Sequence, residues 1–197
     1  MNQSLSVAIG STDIYLLDQI MKNRYNPGDT ILDAGCGYGR NLHWFLNNDF
    51  SIYGVDQDAN AIQDLRHRHP SIADRFQPAE VTNLPFADDH FDHIISSAVL
   101  HFAKDTAHFG QMMAEMTRVL KPSGSLFIRM TADIGIEDRV QPAGDGVYMI
   151  PDGSRRFLLT RALLADTLQR NRLTFLEPLK TVNVNDLRCM STLVLTK

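Results

Sequence analysis

The sequence predicts an α/β fold, a mostly parallel sheet covered by helices and closed by an antiparallel C-terminal strand. Three observations carry this reading. Between residues 30 and 130 short apolar runs alternate with segments of helical periodicity, the mark of successive βαβ units. The run Asp92-His93-Ile94-Ile95-Ser96-Ser97-Ala98 does not alternate apolar with polar, as expected of a strand covered on both faces. Finally, the extended runs Leu173 to Val184 and Arg188 to Thr196 are joined by little more than Asn185-Asp186, a connection short enough only for antiparallel neighbours.

The elements follow in order. Ser11-Thr12-Asp13 offers capping side chains for a helix whose apolar face is Ile14, Leu17, Ile20 and Met21. Asn26-Pro27-Gly28-Asp29 punctuates the chain before a first strand, Thr30 to Asp33. A short helix then carries Leu42, Phe45 and Leu46 on one side, and Ser51 to Asp56 is a second strand ending in an acid. A helix over Asn60 to His67 and a third strand over Arg75 to Glu80 come next, with Asp92 to Ala98 as the fourth strand. Phe109, Met112, Met113, Met116, Val119 and Leu120 recur at helical spacing, and their methionines suit core packing. Lys121-Pro122-Ser123-Gly124 stops that helix and starts a fifth strand, Ser125 to Met130. Residues 132–159 break the alternation with four glycines, two prolines and mixed charge. They hold one hairpin, Val147 to Ile150 and Arg155 to Leu158 about a Pro151-Asp152-Gly153 turn, and form a candidate lid. Thr160 caps a last helix with Leu163, Leu164, Thr167 and Leu168 on one face.

At 197 residues the chain reads as a single domain. A net charge of -4 argues against a nucleic-acid partner, since backbone binding needs a dense Lys/Arg face and the one adjacent basic pair is Arg155-Arg156. No apolar run reaches the length of a membrane span, and Met1-Asn2-Gln3-Ser4 lacks the charged and apolar regions of a signal peptide. A cytoplasmic protein, monomeric or homodimeric, with no membrane partner is expected. Cys36 and Cys189 show no C-x-x-C spacing, and no metal site is expected.

The chemistry concentrates after the first strand. Asp33-Ala34-Gly35-Cys36-Gly37-Tyr38-Gly39 places glycines at alternate positions, so the backbone turns sharply and approaches a ligand without a Cβ in the way. Dinucleotide dehydrogenases favour G-x-G-x-x-G, whose helix N-terminus faces a pyrophosphate. Here the spacing differs and an acid precedes the first glycine by two. Asp56, 17 residues after Gly39, ends the second strand where a carboxylate accepts both hydroxyls of a ribose. That acid alone serves a nicotinamide dinucleotide equally well.

The pattern D-x-G-x-G-x-G resembles motif I of the class I S-adenosylmethionine-dependent methyltransferases. Glu80-Val81-Thr82-Asn83-Leu84-Pro85-Phe86 with Phe91-Asp92 is similar to that family's D-A-x-x-L-P-F…F-D segment, with Glu80 in place of Asp. Arg118 to Leu126 resembles its R-x-L-K-P-G-G-x-L segment, with Ser123 for the first Gly. The resemblance covers about residues 30 to 131. It implies a Rossmann-like three-layer sandwich whose seven-stranded sheet carries its last strand beside the fifth. It also implies S-adenosylmethionine as cofactor, with Asp33, Gly35, Cys36, Gly37, Asp56, Gln57, Glu80, Val81, Ser97 and Ala98 around it. In the family the acid at the Glu80 position accepts from the adenine amino group, a donor that suits an acceptor-only carboxylate.

The expected organisation is an N-terminal helical lid (1–29), a cofactor-binding core (30–131), an insertion or lid (132–159) and a C-terminal helix and hairpin (160–197). The expected activity is methyl transfer to a small molecule, with alignment and exclusion of water as the main contributions. His101 is the first choice of general base where the acceptor must lose a proton. Tyr15, Tyr38 and Tyr148 are candidate aromatic walls, and Tyr15, Arg129 and Tyr148 candidate substrate contacts. Asp133, Glu137, Arg139, Arg155 and Arg156 join Arg129 as charges able to grip an acidic or zwitterionic substrate. A nicotinamide-dependent oxidoreductase and a non-catalytic cofactor-binding protein stand as alternatives.

Overall fold

A computed structural model describes residues 5–197, so the signal-peptide reading of Met1 to Ser4 and the start of the expected N-terminal lid lie outside the described residues. Two helices open it, α1 (Leu5–Ile9) and α2 (Ile14–Met21). The core then alternates β1 (Thr30–Ala34), α3 (His43–Leu46), β2 (Ser51–Asp56), α4 (Ala59–Arg68), β3 (Phe76–Pro78), β4 (Phe91–Ser97), α5 (Thr106–Val119) and β5 (Leu120–Ala132). Three short strands follow, β6 (Gln141–Pro142), β7 (Val147–Met149) and β8 (Arg155–Phe157). The chain ends with α6 (Arg161–Asn171), β9 (Thr174–Phe175), β10 (Lys180–Val184) and β11 (Arg188–Thr196).

Seven strands form the main sheet in the order β10-β11-β5-β4-β1-β2-β3, and β9 adds to β11. Pairs from β5 to β3 are parallel, whereas β11 runs antiparallel to both β5 and β10. Helices cover both faces. Leu16 of α2, Phe45 of α3 and Ile62 and Leu65 of α4 pack on one side with Ile31, Ile52 and Phe127. On the other, Phe109, Met113 and Met116 of α5 and Leu164 of α6 meet Leu32, Ile94 and Leu126. Each such fully buried side chain contributes roughly 1.5–3 kcal/mol. This is the Rossmann-like three-layer α/β sandwich expected from the sequence.

Four details differ from the sequence reading. The buried residues of α2 are Leu16 and Gln19, while Ile14 and Met21 are exposed. The helix is turned by its anchors: Asp13 at its N-cap is buried, and Gln19 bonds Asp18 and Arg24. Strand β3 is only three residues long, an edge strand that pairs with β2 over Phe76–Pro78 alone. Strand β5 begins at Leu120, directly after α5, so Lys121-Pro122-Ser123-Gly124 is an irregularity within the pairing with β4, and Ser123 takes a left-handed φ of 65°. The insertion builds its own three-stranded sheet, β6-β7-β8, where a single hairpin is expected.

Candidate functional site

Asp33, Asp56 and Ser97 stand at or near the C-terminal ends of β1, β2 and β4, on either side of the point where the strand order reverses. In open α/β sheets that is where ligands bind. The loop after β1 is held by Gly35 N–H and Cys36 N–H, which donate to Val55 O at 2.8 and 2.9 Å. Gly35 has φ 90°, and a Cβ there would stand 2.3 Å from Val99 Cγ2. Only glycine lets β1 turn away while the Val99 side chain closes over it.

Gly37 donates its N–H to Asp56 Oδ2 at 2.8 Å, and Asp58 N–H reaches Oδ1 at 2.9 Å. Asp58 itself caps α4 by accepting from Asn60 and Ala61, which leaves Asp56 to the site. A cavity of about 330 Å³ opens here, lined by Gly35, Asp56, Gln57, Glu80, Val81 and Ala98 among the residues expected from sequence. Its remaining walls are Ala79, Val99, Phe102, Lys104, His108 and Met112, which the sequence reading missed as site residues. Met112 had a signal, since it lies on the buried stripe of α5; facing a cavity and facing a core look alike in periodicity.

Asp33 is buried beneath this loop, and neither carboxylate oxygen has a hydrogen-bond partner among the described residues. Burial pushes its carboxyl up to about 7; the nearby Arg40 charge pulls down and that of Asp56 adds to the rise. Cys36 is buried, and burial followed by the charges of Asp33 and Asp56 pushes its thiol up, so no thiolate is present. Cys36 Sγ lies where a Cβ on Gly54 would come within 2.9 Å, a packing role.

A second cluster adjoins the first. Asp13, treated in sequence only as a cap, accepts from Arg129 Nη1 at 3.0 Å and Ser97 Oγ at 3.3 Å, and lies 3.6 Å from Arg40. The Arg129 guanidinium sits 5.0 Å from the centre of the Tyr15 ring. Tyr15, Ser97 and Arg129 are therefore brought together by a residue that sequence reasoning did not place with them. Among the described residues, none of Tyr15, Tyr38 or Tyr148 lines the cavity: Tyr38 is exposed and Tyr148 belongs to β7.

His101 lies in the 3-10 turn Leu100–Phe102, buried, with Nδ1 unpartnered and its ring edge-on to Phe102 at 4.5 Å. It does not line the cavity; Phe102 does. Burial, then the charges of Arg156, Arg188 and Arg129, hold its pKa down to about 4, so the imidazole is neutral at pH 7. Of the other charges in the insertion, Arg139 comes within 3.4 Å of Asp186, Glu137 accepts from Gly135 N–H, and Arg155 bonds Ala143 O. Asp133 stands half-buried with Oδ1 unpartnered, its carboxyl raised chiefly by burial. No group of three or more His, Cys, Asp or Glu suited to a metal occurs among the described residues. No helix among them is long and apolar enough to cross a membrane.

Residues 32–128 match the family described as "Methyltransferase domain". An uncharacterized methyltransferase of Bacillus subtilis is 32% identical over 60% of this chain and 47% of its own length. A probable tRNA methyltransferase 9B of Bos taurus is 35% identical over 54% of this chain and 22% of its own. The chain thus spans less than half the length of these relatives. A methyltransferase structure from Methanosarcina mazei, described as S-adenosylmethionine-dependent, superposes with a TM-score of 0.74 at 20% identity, over 90% of this chain and 96% of that one. The 1,6-didemethyltoxoflavin-N1-methyltransferase of Burkholderia thailandensis, solved with bound 1,6-didemethyltoxoflavin and S-adenosylhomocysteine, gives a TM-score of 0.68 at 20% identity, over 95% and 79%. At such identities these two structures speak to the fold.

Proposed function

The chain belongs to the class I S-adenosylmethionine-dependent methyltransferase family, and from that premise we propose that it moves a methyl group from S-adenosylmethionine to a small-molecule acceptor by in-line displacement. The observation that carries this reading is the Gly37–Asp56 hydrogen bond, which sets the backbone turn after β1 beside a carboxylate that lines the cavity and suits ribose hydroxyls. When bound, the cofactor supplies an electrophilic methyl on a sulfonium centre.

The residues fit such a ligand. Asp33 offers two unpartnered acceptors to a cation beneath a loop whose Gly35 backbone lines the cavity. Asp56 has lone pairs left for ribose hydroxyls, and Glu80, exposed on the cavity wall beside Val81, is placed to read an exocyclic amine. Ala98, with φ 64°, and Ser97 carry the chain past the methionine end. Phe102, Met112, Val81 and Val99 give apolar walls that keep water from the reacting line. In this reading residues 30–131 hold the cofactor, and α2 and the 132–159 insertion cover it as lids. Residues 160–197 complete the sheet.

Because the displacement starts from an activated donor, positioning supplies most of the rate. A base is needed only for an acceptor that must lose a proton, and His101, the candidate, is neutral but lies outside the cavity lining and, held down to about 4, is a weak base. Turnover of methyl-labelled cofactor with pooled small metabolites, run beside bulk tRNA, tests the proposal. Label in the small-molecule fraction, lost in Asp56→Ala, is expected; label in tRNA alone overturns the acceptor class.

A further inference from the structure

Strand β8 of the insertion packs against the 3-10 turn that holds His101 and Phe102. The Arg156 guanidinium lies 5.2 Å from the centre of the Phe102 ring, and that same ring, 61% exposed, forms a lip of the cofactor cavity. Arg188, at the start of β11, reaches the insertion turn through Asp152 at 3.5 Å, and Asp152 N–H donates to Leu187 O at 3.2 Å. Arg129 lies on the other side, bonded to Asp13.

Arg129 and Arg188 each have a carboxylate within ion-pair reach, Asp13 and Asp152, and Arg40 adjoins Asp13 and Asp33. Among the described residues Arg156 has no carboxylate within ion-pair reach and donates only to Arg155 O at 2.8 Å. Two buried polar atoms here are also unpartnered, His101 Nδ1 and Arg129 Nε. A half-buried guanidinium with no carboxylate partner is free to take an anionic ligand.

We propose that Arg156, set over Phe102, and Arg188, tied to the insertion turn through Asp152, form the subsite for a carboxylate on the methyl acceptor. The proposal rests on the methyltransferase reading and names the substrate class: a small carboxylic acid whose apolar part lies on Phe102, with its nucleophilic atom turned toward the cofactor cavity. Guanidinium groups suit a carboxylate through paired N–H donors. A nucleic-acid backbone calls instead for cations spread along an open face. Here one guanidinium lies over the Phe102 ring and the other beside Asp152 of the insertion turn, and the chain carries a net charge of -4.

The test is ligand-observed NMR on the full chain, with and without saturating S-adenosylhomocysteine, using benzoate as probe, benzamide as its uncharged counterpart and a short single-stranded RNA as competitor. Benzoate binds and benzamide does not, and Arg156→Met or Arg188→Met weakens benzoate by ~10-fold or more, the worth of one lost charged hydrogen bond. Both substitutions are at side chains that are not fully buried, and retained S-adenosylhomocysteine binding verifies that each variant is folded. Equal binding of benzamide, no benzoate binding, unchanged benzoate affinity in both variants, or displacement of benzoate by the RNA overturns the proposal. Failure of S-adenosylhomocysteine to bind strikes the cofactor reading instead, because benzoate is scored in its absence as well.

Discussion

Gly37 and Asp56 are joined through a 2.8 Å hydrogen bond from the glycine N–H to Oδ2, so the turn after β1 is tied to the acid that ends β2. The other oxygen is held by Asp58 N–H. The carboxylate therefore meets a ligand already oriented, and its rotamer entropy is spent in folding and not in binding.

Removing that carboxylate acts on both structure and binding. Asp56→Ala frees two backbone donors, which costs about 1 kcal/mol each where water replaces the bond poorly. It also weakens S-adenosylhomocysteine by roughly 10- to 100-fold, the worth of a charged acceptor for two hydroxyls. Calorimetric titration reads the affinity, and Asp56→Asn, which keeps one carbonyl acceptor, falls between. Unchanged affinity in Asp56→Ala removes this residue from the site.

Two glycines of the same loop answer differently to a methyl group. At Gly35 a Cβ meets Val99 at 2.3 Å with φ 90°, whereas at Gly37, φ 50°, it meets nothing within 4 Å. Gly37→Ala thus carries only the left-handed backbone penalty, about 1 kcal/mol, and Gly35→Ala adds overpacking for about 2–4 kcal/mol in all. Urea midpoints distinguish them. The double variant Gly35→Ala with Val99→Ala recovers the overpacking part but keeps the backbone part.

Asp33 makes stability depend on pH in an unusual direction. Its folded pKa is raised from 3.8 to about 7, chiefly by burial, so between those values the native state holds a proton that the unfolded state has released. Stability then falls as pH rises from about 4 to about 7, by at most about 4 kcal/mol for a shift of this size. Asp33→Asn removes that slope and is the more stable protein at pH 8, yet it binds S-adenosylhomocysteine more weakly. Denaturation at pH 5 and pH 8 measures the slope, and a parallel dependence in both proteins sinks this account.

The sheet and its ligand end were legible because both rest on local rules: apolar runs, glycine at positive φ, an acid at a strand end. Gly35, Asp56, Gln57, Glu80, Val81 and Ala98 share one cavity as their positions in the motifs suggest. What could not be read was long-range. Asp13 caps α2 by one oxygen and uses the other to hold Arg129, 116 residues away, and nothing local to Asp13 encodes that partner. Phe102 and Lys104 reach the cavity because the turn after β4 folds across it, and a turn's direction is set by what packs beneath. The exposed Ile14 and Met21 show the same limit, since capping fixed the rotation of α2 more strongly than its apolar stripe.

The insertion is tied to the core at several points, and one of them lies at the N-terminus of α5. Asp145 accepts from Thr106 N–H at 3.2 Å and Thr106 Oγ1 at 2.7 Å, at the N-terminus of α5. The contact is exposed, so Asp145→Ala changes global stability by no more than about 0.5–1 kcal/mol. Hydrogen exchange over 141–149 accelerates, and the KM for the acceptor rises while cofactor affinity holds. Unaltered exchange in this segment means that the latch does not hold the lid.

His101 titrates opposite in sense to Asp33 and at the other side of the site. Its folded pKa is depressed from 6.5 to about 4 by burial and then by Arg156, Arg188 and Arg129, so the native state favours the neutral ring. The contribution to stability is complete above about pH 6.5 and is lost as pH falls through about 4, because the unfolded chain takes up a proton first. The loss is at most about 3 kcal/mol. His101→Gln flattens the stability profile between pH 4 and 6.5, and the ring's own NMR titration falls near 4 in the wild type. Arg156→Met moves that titration upward by removing the largest of the three charge effects. An imidazole that titrates near its ordinary value in the folded protein contradicts the burial beneath β8 and, with it, the crowding of cations that the acceptor subsite requires.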